Sequence, residues 1–364
     1  MNLTVVTSGA DRIERCANKN KKHVDIIVPL YGDIAQINPL ISALSDQKDF
    51  VNKVFVVAST RSCAVSNKIN FSFQAIAPLL SRQEYHSKGL DIVLLGCRQR
   101  LFPGAARNIG VLHSDSRYVA FLDVNTIPCG DWLNNFSQIS NDFSDALSML
   151  GSTIYTYETY MQKIVIAASY GFMPLETLPG SIIYRGHLFS VGLFNPDWRA
   201  GEDVDFLLRF RSLFPDHAHS NAPNKYQLDA DNLFYYFFKW LRNYSEAAPC
   251  HSLATQSQVL MFLVAAIAIM FAFNWNALIA GWNEGSILYF KNITKVTFVF
   301  LLTIYAFLRG LYLPLTKKSF ARGRCSPVDS IVIICVSIGL DFAKAFALVF
   351  RNIRIYNFFF SCVS

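Results

Sequence analysis

The chain has 364 residues and a formal net charge of +7, and 52% of its residues are hydrophobic. That apolar content is high for a purely soluble protein, so we expect part of the chain to contact lipid. The first half has no basic stripe with interleaved aromatic residues, and the eight cysteines show no C-x-x-C spacing, which argues against a nucleic-acid-binding module, a zinc site and a disulfide framework.

The N-terminal two thirds alternate strand-like and helix-like segments. Residues 1–23 are polar and carry no apolar signal core, so we expect a flexible N-terminal segment followed by a cytosolic domain over residues 24–230. Strands that alternate with helices predict an α/β domain with a mostly parallel sheet. The first predicted elements, in chain order, are a strand at Val24–Pro29, a helix at Ile34–Leu44, strands at Val54–Val57 and Asp91–Leu95, and a helix at Gly104–Leu112.

The fourth predicted strand, Tyr118–Leu122, is continuously apolar, as a central strand should be. It is followed directly by Asp123, Val124 and Asn125. Polar residues just past the carboxyl end of such a strand lie where open α/β sheets bind ligands. A turn in which Asp123 caps backbone amides is the simpler structural alternative.

Four segments, taken together and in order, resemble family 2 glycosyltransferases. The resemblance covers roughly residues 24 to 215 and implies a GT-A fold, a Rossmann-like nucleotide-diphospho-sugar transferase domain. It also implies a nucleotide-diphosphate sugar donor and transfer with inversion. The segments are Val28–Tyr31, Pro103–Gly110, Asp123–Asn125 and Gly201–Phe206.

The resemblance places the donor and its cation at the strand ends. A divalent cation with oxygen ligands neutralises a departing diphosphate, and the resemblance implies Mn²⁺ or Mg²⁺ held by Asp123 and Asn125. Arg107 and Asn108 also have a structural interpretation, because any helix start needs polar groups. The expected donor-binding residues are Pro29, Tyr31, Arg107, Asn108, Gly110 and Asp123.

The acidic motif supplies the expected catalytic residues. Inverting transfer needs a base for the proton of the attacking acceptor hydroxyl. The resemblance implies Asp203 as that base, with Glu202 orienting it or touching the acceptor. The alternative is that Glu202, Asp203 and Asp205 simply favour a helix N-terminus.

Two departures from the family pattern bear on the donor. Asn125 stands where the family usually has a second aspartate, and Ala58–Ser62 replaces an acidic loop after the second strand. Lys239–Arg242 does not match the Gln-x-x-Arg-Trp motif of processive synthases, which favours transfer of a single sugar. A catalytically inactive membrane scaffold, a polyprenyl-phosphate glycosyltransferase and a processive enzyme remain the alternatives.

The last third predicts membrane attachment. Residues 231–258 begin with the aromatic segment Asn232–Tyr244, which predicts an interfacial amphipathic helix and a linker, or alternatively an aromatic core helix. Residues 259–364 predict two to three transmembrane helices, with Arg309 paired to Asp341 between two of them. The candidate spans are Val259–Trp282, Val296–Leu315 and Val328–Phe350.

A tetrabasic connection sets the expected orientation. By the positive-inside rule, a short loop rich in lysine and arginine lies on the cytoplasmic side, which is also the side expected for the catalytic domain. We therefore expect a multi-pass inner or plasma membrane protein that transfers sugar to a lipid-linked or glycan acceptor at the cytosolic face, in surface polysaccharide biosynthesis. The four basic residues are Lys317, Lys318, Arg322 and Arg324.

Overall fold

The computed structural model describes residues 23–59, 80–97, 100–143, 145–228, 230–245, 272–320 and 325–350. Within these residues a single sheet contains ten strands. The strands are β1 (Val24–Tyr31), β2 (Val51–Ser59), β3 (Leu80–Ser87), β4 (Leu90–Cys97), β5 (Tyr118–Phe121), β6 (Thr126–Ile127), β7 (Met149–Thr156), β8 (Leu175–Tyr184), β9 (Ala218–His219) and β10 (Asn224–Gln227).

The sheet order is β3-β4-β2-β1-β5-β8-β7-β10-β6, with β9 paired to β7. Strands β4, β2, β1 and β5 run parallel, whereas β8 is antiparallel to both of its neighbours. Parallel strands need crossover connections, which places helices on the faces of the sheet. The expected α/β class with a mostly parallel sheet is therefore confirmed.

The described part has helices on both faces of the sheet and further helices beyond it. They are α1 (Asn38–Ser45), α2 (Pro103–His113), α3 (Trp132–Ile139), α4 (Tyr160–Ala168), α5 (Arg185–Val191), α6 (Glu202–Leu213), α7 (Leu233–Ser245), α8 (Ile293–Thr316) and α9 (Asp329–Phe350). Successive residues of β1 point to opposite faces, so Ile26 packs in the core under α1 and α3 while Ile27 packs under α2 and α6.

The predicted strands and helices of the N-terminal part are all present, and most have longer bounds. Strand β5 is one residue shorter than predicted, and the predicted helix Ile34–Leu44 is a 3₁₀ turn at Ile34–Ile37 followed by α1. The strand order beyond β5 was not predicted from the sequence. Strand β7 interleaves polar and apolar residues, and β10 has only four residues, so neither stands out as an apolar run. These strands matter to the site because β10 borders it.

Helix α7 agrees in part with both interpretations of the aromatic segment, the interfacial helix and the core helix. Tyr236, Trp240 and Leu241 are buried in a third core cluster that α7 shares with α4 and α9. Phe234 is 74% exposed on the opposite side. The helix therefore contributes one face to the core and leaves an aromatic face uncovered.

Two helices of the described part, Ile293–Thr316 and Asp329–Ala347, have the length and apolar composition needed to cross a membrane. Helix α8 is only 11% buried in the protein, whereas α9 is 44% buried against α7 and α4. The predicted pair of Arg309 and Asp341 is confirmed, with 2.7 Å between Arg309 Nε and Asp341 Oδ2. Most of the predicted span Val259–Trp282, and also Arg322 and Arg324, lie outside the described residues.

Candidate active site

A cavity of about 960 Å³ opens at the carboxyl ends of β1 and β5. Parallel strands bring their carboxyl ends to one edge of the sheet, and this is where α/β sheets bind ligands. Most of the residues expected at the site line this cavity: Pro29 and Tyr31 from the end of β1, Arg107 from α2, Asp123 and Asn125 after β5, and Glu202 and Asp203 at the start of α6.

Arg107 joins the two acidic segments. Its Nη1 donates to Glu202 Oε1 at 2.6 Å, and its Nη2 donates to Asp123 Oδ1 at 3.0 Å. The Arg107 and Glu202 side chains are 5% and 4% exposed, whereas that of Asp123 is 32% exposed. Charge-assisted hydrogen bonds of this kind are strong and directional. Arg107 thus fixes the end of β5 relative to the start of α6.

The charge of Arg107 interacts with three carboxylates, those of Asp123, Glu202 and Asp203. Burial alone would lower the pKa of Arg107, but Asp123, Glu202 and Asp203 outweigh burial and the pKa is raised, so the guanidinium stays charged. Three carboxylates therefore share one guanidinium. Burial, reinforced by the charge of Asp203, raises the pKa of Glu202 to about 7 despite its bond to Arg107. Glu202 Oε2 is buried and has no hydrogen-bond partner among the described residues.

Asp203 lies in the first turn of α6, next to the cavity. Gly201 precedes the helix with φ of +81°, a conformation that side chains rarely adopt, and this turn directs Asp203 toward the cavity wall. Asp203 is partly exposed, and its Oδ1 accepts from the backbone N–H of Val204 at 2.8 Å. Asp205 instead pairs with Arg209 at 2.9 Å. Asp203 therefore combines a helix-start contact with a place on the cavity wall, whereas Asp205 pairs with a side chain one turn further along α6.

Asn108 and Gly110 have other contacts than the cavity. The Asn108 side chain bonds both the N–H and the carbonyl of Phe194, at 3.0 and 2.7 Å. A Cβ atom at Gly110 would lie 2.6 Å from Ile27, so this glycine lets α2 approach β1 closely. Neither residue is part of the cavity lining in the described structure. Their expected donor-binding role stays a prediction, and each has a packing role.

The sequence did not point to several residues of the cavity. Arg100 lies over the Tyr31 ring, with 5.3 Å between its guanidinium carbon and the ring centroid. Tyr226 of β10 and Tyr170, after α4, also line the cavity. An isolated arginine or tyrosine carries no positional signal in a single sequence, which is why these residues were missed.

Two side chains on the cavity wall carry oxygen atoms of the kind that a divalent cation binds. Asp123 and Asn125 both line the cavity, and the backbone carbonyl of Asn125 accepts from the N–H of Gln227 at 3.2 Å, which anchors this loop to β10. Magnesium and manganese sites of this kind use one or two protein oxygens together with phosphate oxygens. Among the described residues, the three-residue cluster suited to a metal is elsewhere, at Glu176, His217 and His219.

The loop expected to replace an acidic motif is only partly described. Ser59, at the end of β2, is buried and lines the cavity. Residues 60–62 lie outside the described residues. The nucleotide-reading residues that would follow β2 are therefore not identified in the structure.

No protein-family model and no curated protein matches this chain. Solved structures do match. Residues 1–349 of TarS from S. aureus, in complex with UDP-GlcNAc, are 13% identical with a TM-score of 0.38, and the match covers 88% of this chain and 92% of that TarS fragment. The mannosyltransferase PcManGT from Pyrobaculum calidifontis, in complex with GDP-Man and Mn²⁺, is 14% identical with a TM-score of 0.41, covering 90% and 86%.

A third match covers less of the chain. Glucosyl-3-phosphoglycerate synthase from Mycobacterium tuberculosis, in complex with Mn²⁺, UDP and phosphoglyceric acid, is 16% identical with a TM-score of 0.35. It covers 59% of this chain and 74% of the synthase. One of these three proteins is named a mannosyltransferase and one a glucosyl-3-phosphoglycerate synthase, and all three are only distantly similar to this chain.

Proposed function

We propose that the chain is an inverting glycosyltransferase that moves a single sugar from a nucleotide-diphosphate sugar to a lipid-linked or glycan acceptor at the cytosolic membrane face. The observation that carries this proposal is the meeting of three distant segments on one cavity wall. Arg107 and Asp203, the first and last of the three residues Arg107, Asp123 and Asp203, are 96 positions apart in the chain, and two ion pairs through Arg107 hold the three segments together.

Each of these residues has a separate chemical role in the proposal. Asp203 takes the proton of the attacking acceptor hydroxyl. Glu202 fixes the position of Asp203 relative to Arg107, because Glu202 is the first residue of α6 and accepts a hydrogen bond from Arg107. Asp123 and Asn125 would hold Mn²⁺ or Mg²⁺, which neutralises the charge of the departing diphosphate when it is bound.

The membrane part of the proposal is supported by the C-terminal helices. Helix α8 is apolar and almost wholly uncovered, and its end meets the catalytic domain, where Phe172 N–H donates to the Lys317 carbonyl at 3.2 Å. The domain and the basic connection would then lie on the same side of the membrane, as the positive-inside rule requires. Because α9 packs against α7, we place it at the membrane surface beside the domain.

A donor panel tests the proposed activity. UDP-, GDP- and dTDP-sugars are added to the purified full chain in detergent, with and without Mn²⁺, and the melting temperature is recorded. A ligand at a hundredfold its dissociation constant adds about 2.7 kcal/mol of stability. Absence of stabilisation by every donor would contradict the proposal and favour the inactive scaffold.

The catalytic base is tested by Asp203→Asn. Loss of a general base lowers the rate by roughly 10² to 10⁴. We expect release of nucleoside diphosphate to fall by that factor while donor stabilisation is retained. Asp205→Asn is the matched control, because it removes a carboxylate from the same helix turn that pairs with Arg209 outside the cavity. Unchanged turnover in Asp203→Asn would refute the assignment.

A further inference from the structure

The cavity does not end at the α/β domain. Beyond Asp123 and Asp203, its wall continues onto the apolar C-terminal helices, where Arg309 of α8, Lys317 just past α8 and Lys344 of α9 line it. The cavity therefore has an acidic end at the sheet and a basic end beside the helices proposed to meet the membrane.

The basic end carries more positive than negative charge. Asp341 bonds Arg309 at 2.7 Å, and Lys344 Nζ lies 3.3 Å from Asp341 Oδ1. Lys317 Nζ donates to the backbone carbonyl of Ser169. In these contacts between described residues, three cationic side chains face one carboxylate, that of Asp341.

The pKa of the Lys317 ammonium is lowered in this cluster. Burial, reinforced by the positive charges of Arg309 and Lys344, lowers the pKa of Lys317 to about 8. Positive charges held together away from water raise one another's energy, and an anion that entered between them would relieve that repulsion. The cluster thus has the electrostatic character of an anion-binding site.

A π-helical turn and a glycine in α8 shape the backbone at this cluster. The turn Leu308–Tyr312 of α8 is π-helical, a wider turn that places Arg309 and Gly310 in the interior. A Cβ atom at Gly310 would lie 2.6 Å from Ile334, so the glycine allows α8 and α9 to approach closely. Such π-helical turns recur at functional sites. Arg309 reaches Asp341 because of this geometry.

Aromatic rings connect the two ends of the cavity. The charges of Asp123 and Asp203 act on the Tyr155 hydroxyl, whose ring stacks on Tyr170 at 3.9 Å between centroids. Tyr170 contacts the Trp240 ring at 6.4 Å, and Lys344 Nζ lies 4.5 Å from the centre of that ring. Tyr170 and Trp240 both line the cavity, so these aromatic residues continue its wall from the acidic end to the basic end.

We propose that the basic end, formed by Arg309, Lys317 and Lys344, binds a phosphate or diphosphate group of the acceptor. This inference rests on the proposed function. The acceptor is then a phosphorylated glycan whose reacting hydroxyl lies near Asp203 while its phosphate lies near Lys344, with a sugar ring against Trp240 between them. The same chemistry is offered by a lipid-linked glycan phosphate and by a water-soluble sugar phosphate.

Titration of the full chain with anions tests the site. Inorganic pyrophosphate is added to protein in a non-ionic detergent with a metal chelator, and binding is measured by calorimetry. One charge-assisted contact is worth about a tenfold change in affinity. We expect Lys317→Gln and Lys344→Gln each to weaken binding about tenfold, and Lys344→Arg to retain it.

Lys318→Gln is the matched control, because Lys318 is the exposed neighbour of Lys317 and does not line the cavity. Equal weakening in Lys318→Gln, or no binding by the unmodified chain, would overturn the proposal. Farnesyl diphosphate in the same micelles distinguishes the source of the phosphate. Tighter binding than pyrophosphate indicates a lipid-linked acceptor, and equal binding indicates a water-soluble one.

The donor panel separates this inference from the proposed function. We expect Lys344→Gln to keep the stabilisation by nucleotide sugars, because the donor binds at the Asp123 end. Loss of donor stabilisation in Lys344→Gln would assign the basic end to the donor diphosphate and overturn the acceptor assignment. Pyrophosphate binding that survives in a protein that binds no nucleotide sugar would leave the anion site standing and refute the glycosyltransferase.

Discussion

Replacing Arg107 by methionine removes the guanidinium that bonds both Glu202 and Asp123. Glu202 is then left as a buried carboxylate without a partner, since its side chain is only 4% exposed. Breaking a buried ion pair from one side costs about 3 to 5 kcal/mol. Asp123 contributes little to the loss because water reaches its carboxylate.

The loss is measured as the melting temperature of the full chain in detergent at pH 8. For a domain of this size, 1 kcal/mol corresponds to about 2 to 4 °C, so Arg107→Met should melt roughly 6 to 20 °C lower. The double variant Arg107→Met with Glu202→Gln should regain a large part of the loss, because no unpaired charge remains buried. Lowering the pH to 5 should also shrink the deficit, because Glu202 then takes up a proton.

Arg211→Met is the matched control. Arg211 pairs with Glu176, but its side chain is 41% exposed, so losing that pair should cost at most about 1 kcal/mol. If Arg107→Met melted at the temperature of Arg211→Met, or if the double variant melted no higher than Arg107→Met alone, Arg107 would not be the link between the two acidic segments.

Three further outcomes follow from the site and its packing. The pKa of Glu202 is raised to about 7 in the folded protein from an ordinary 4.5, so the contribution of this group to stability is fully present below about pH 4.5 and is lost as the pH rises through 7. The melting temperature of the unmodified chain should therefore fall over this pH range relative to that of Glu202→Gln. Parallel pH profiles of the two proteins would contradict this prediction. Asn125→Asp adds a charged oxygen beside Asp123 and should tighten Mn²⁺ binding in calorimetry, whereas unchanged affinity would remove Asn125 from the cation site. Gly110→Ala places a Cβ atom 2.6 Å from Ile27 and should cost about 1 to 3 kcal/mol, seen as a lower melting temperature, with donor stabilisation of the folded protein retained.

The sequence alone was informative wherever a local pattern carries the physics. A continuous apolar run such as Tyr118–Leu122 can only be satisfied by burial on both faces, so its position as a central strand follows directly. The polar residues that end it then lie at the edge of the sheet where ligands bind, which is why the sequence predicts a binding role for Asp123. Length and apolar composition likewise predicted α8 and α9.

The roles of the individual site residues needed the tertiary structure. Nothing local to Asn108 reveals that its side chain bonds the backbone of Phe194, because the partner lies 86 residues away in the chain. Glu202 and Asp203 are adjacent, chemically alike and both part of the cavity wall, yet Glu202 is buried against Arg107 whereas Asp203 is partly exposed. Burial decides this difference, and burial depends on how α6 packs against α2.

The apolar helices α8 and α9 show most clearly which features the sequence determines and which features depend on the tertiary structure. Their sequences determined that they would be helical and apolar, and that Arg309 and Asp341 would need each other in a medium that solvates charge poorly. Only the packing of α9 against α7 brings Lys344 over Trp240 and into the cavity that Asp203 lines. A contact between residues far apart in the chain has no signature in either segment, because its free energy comes from surfaces that exist only after folding.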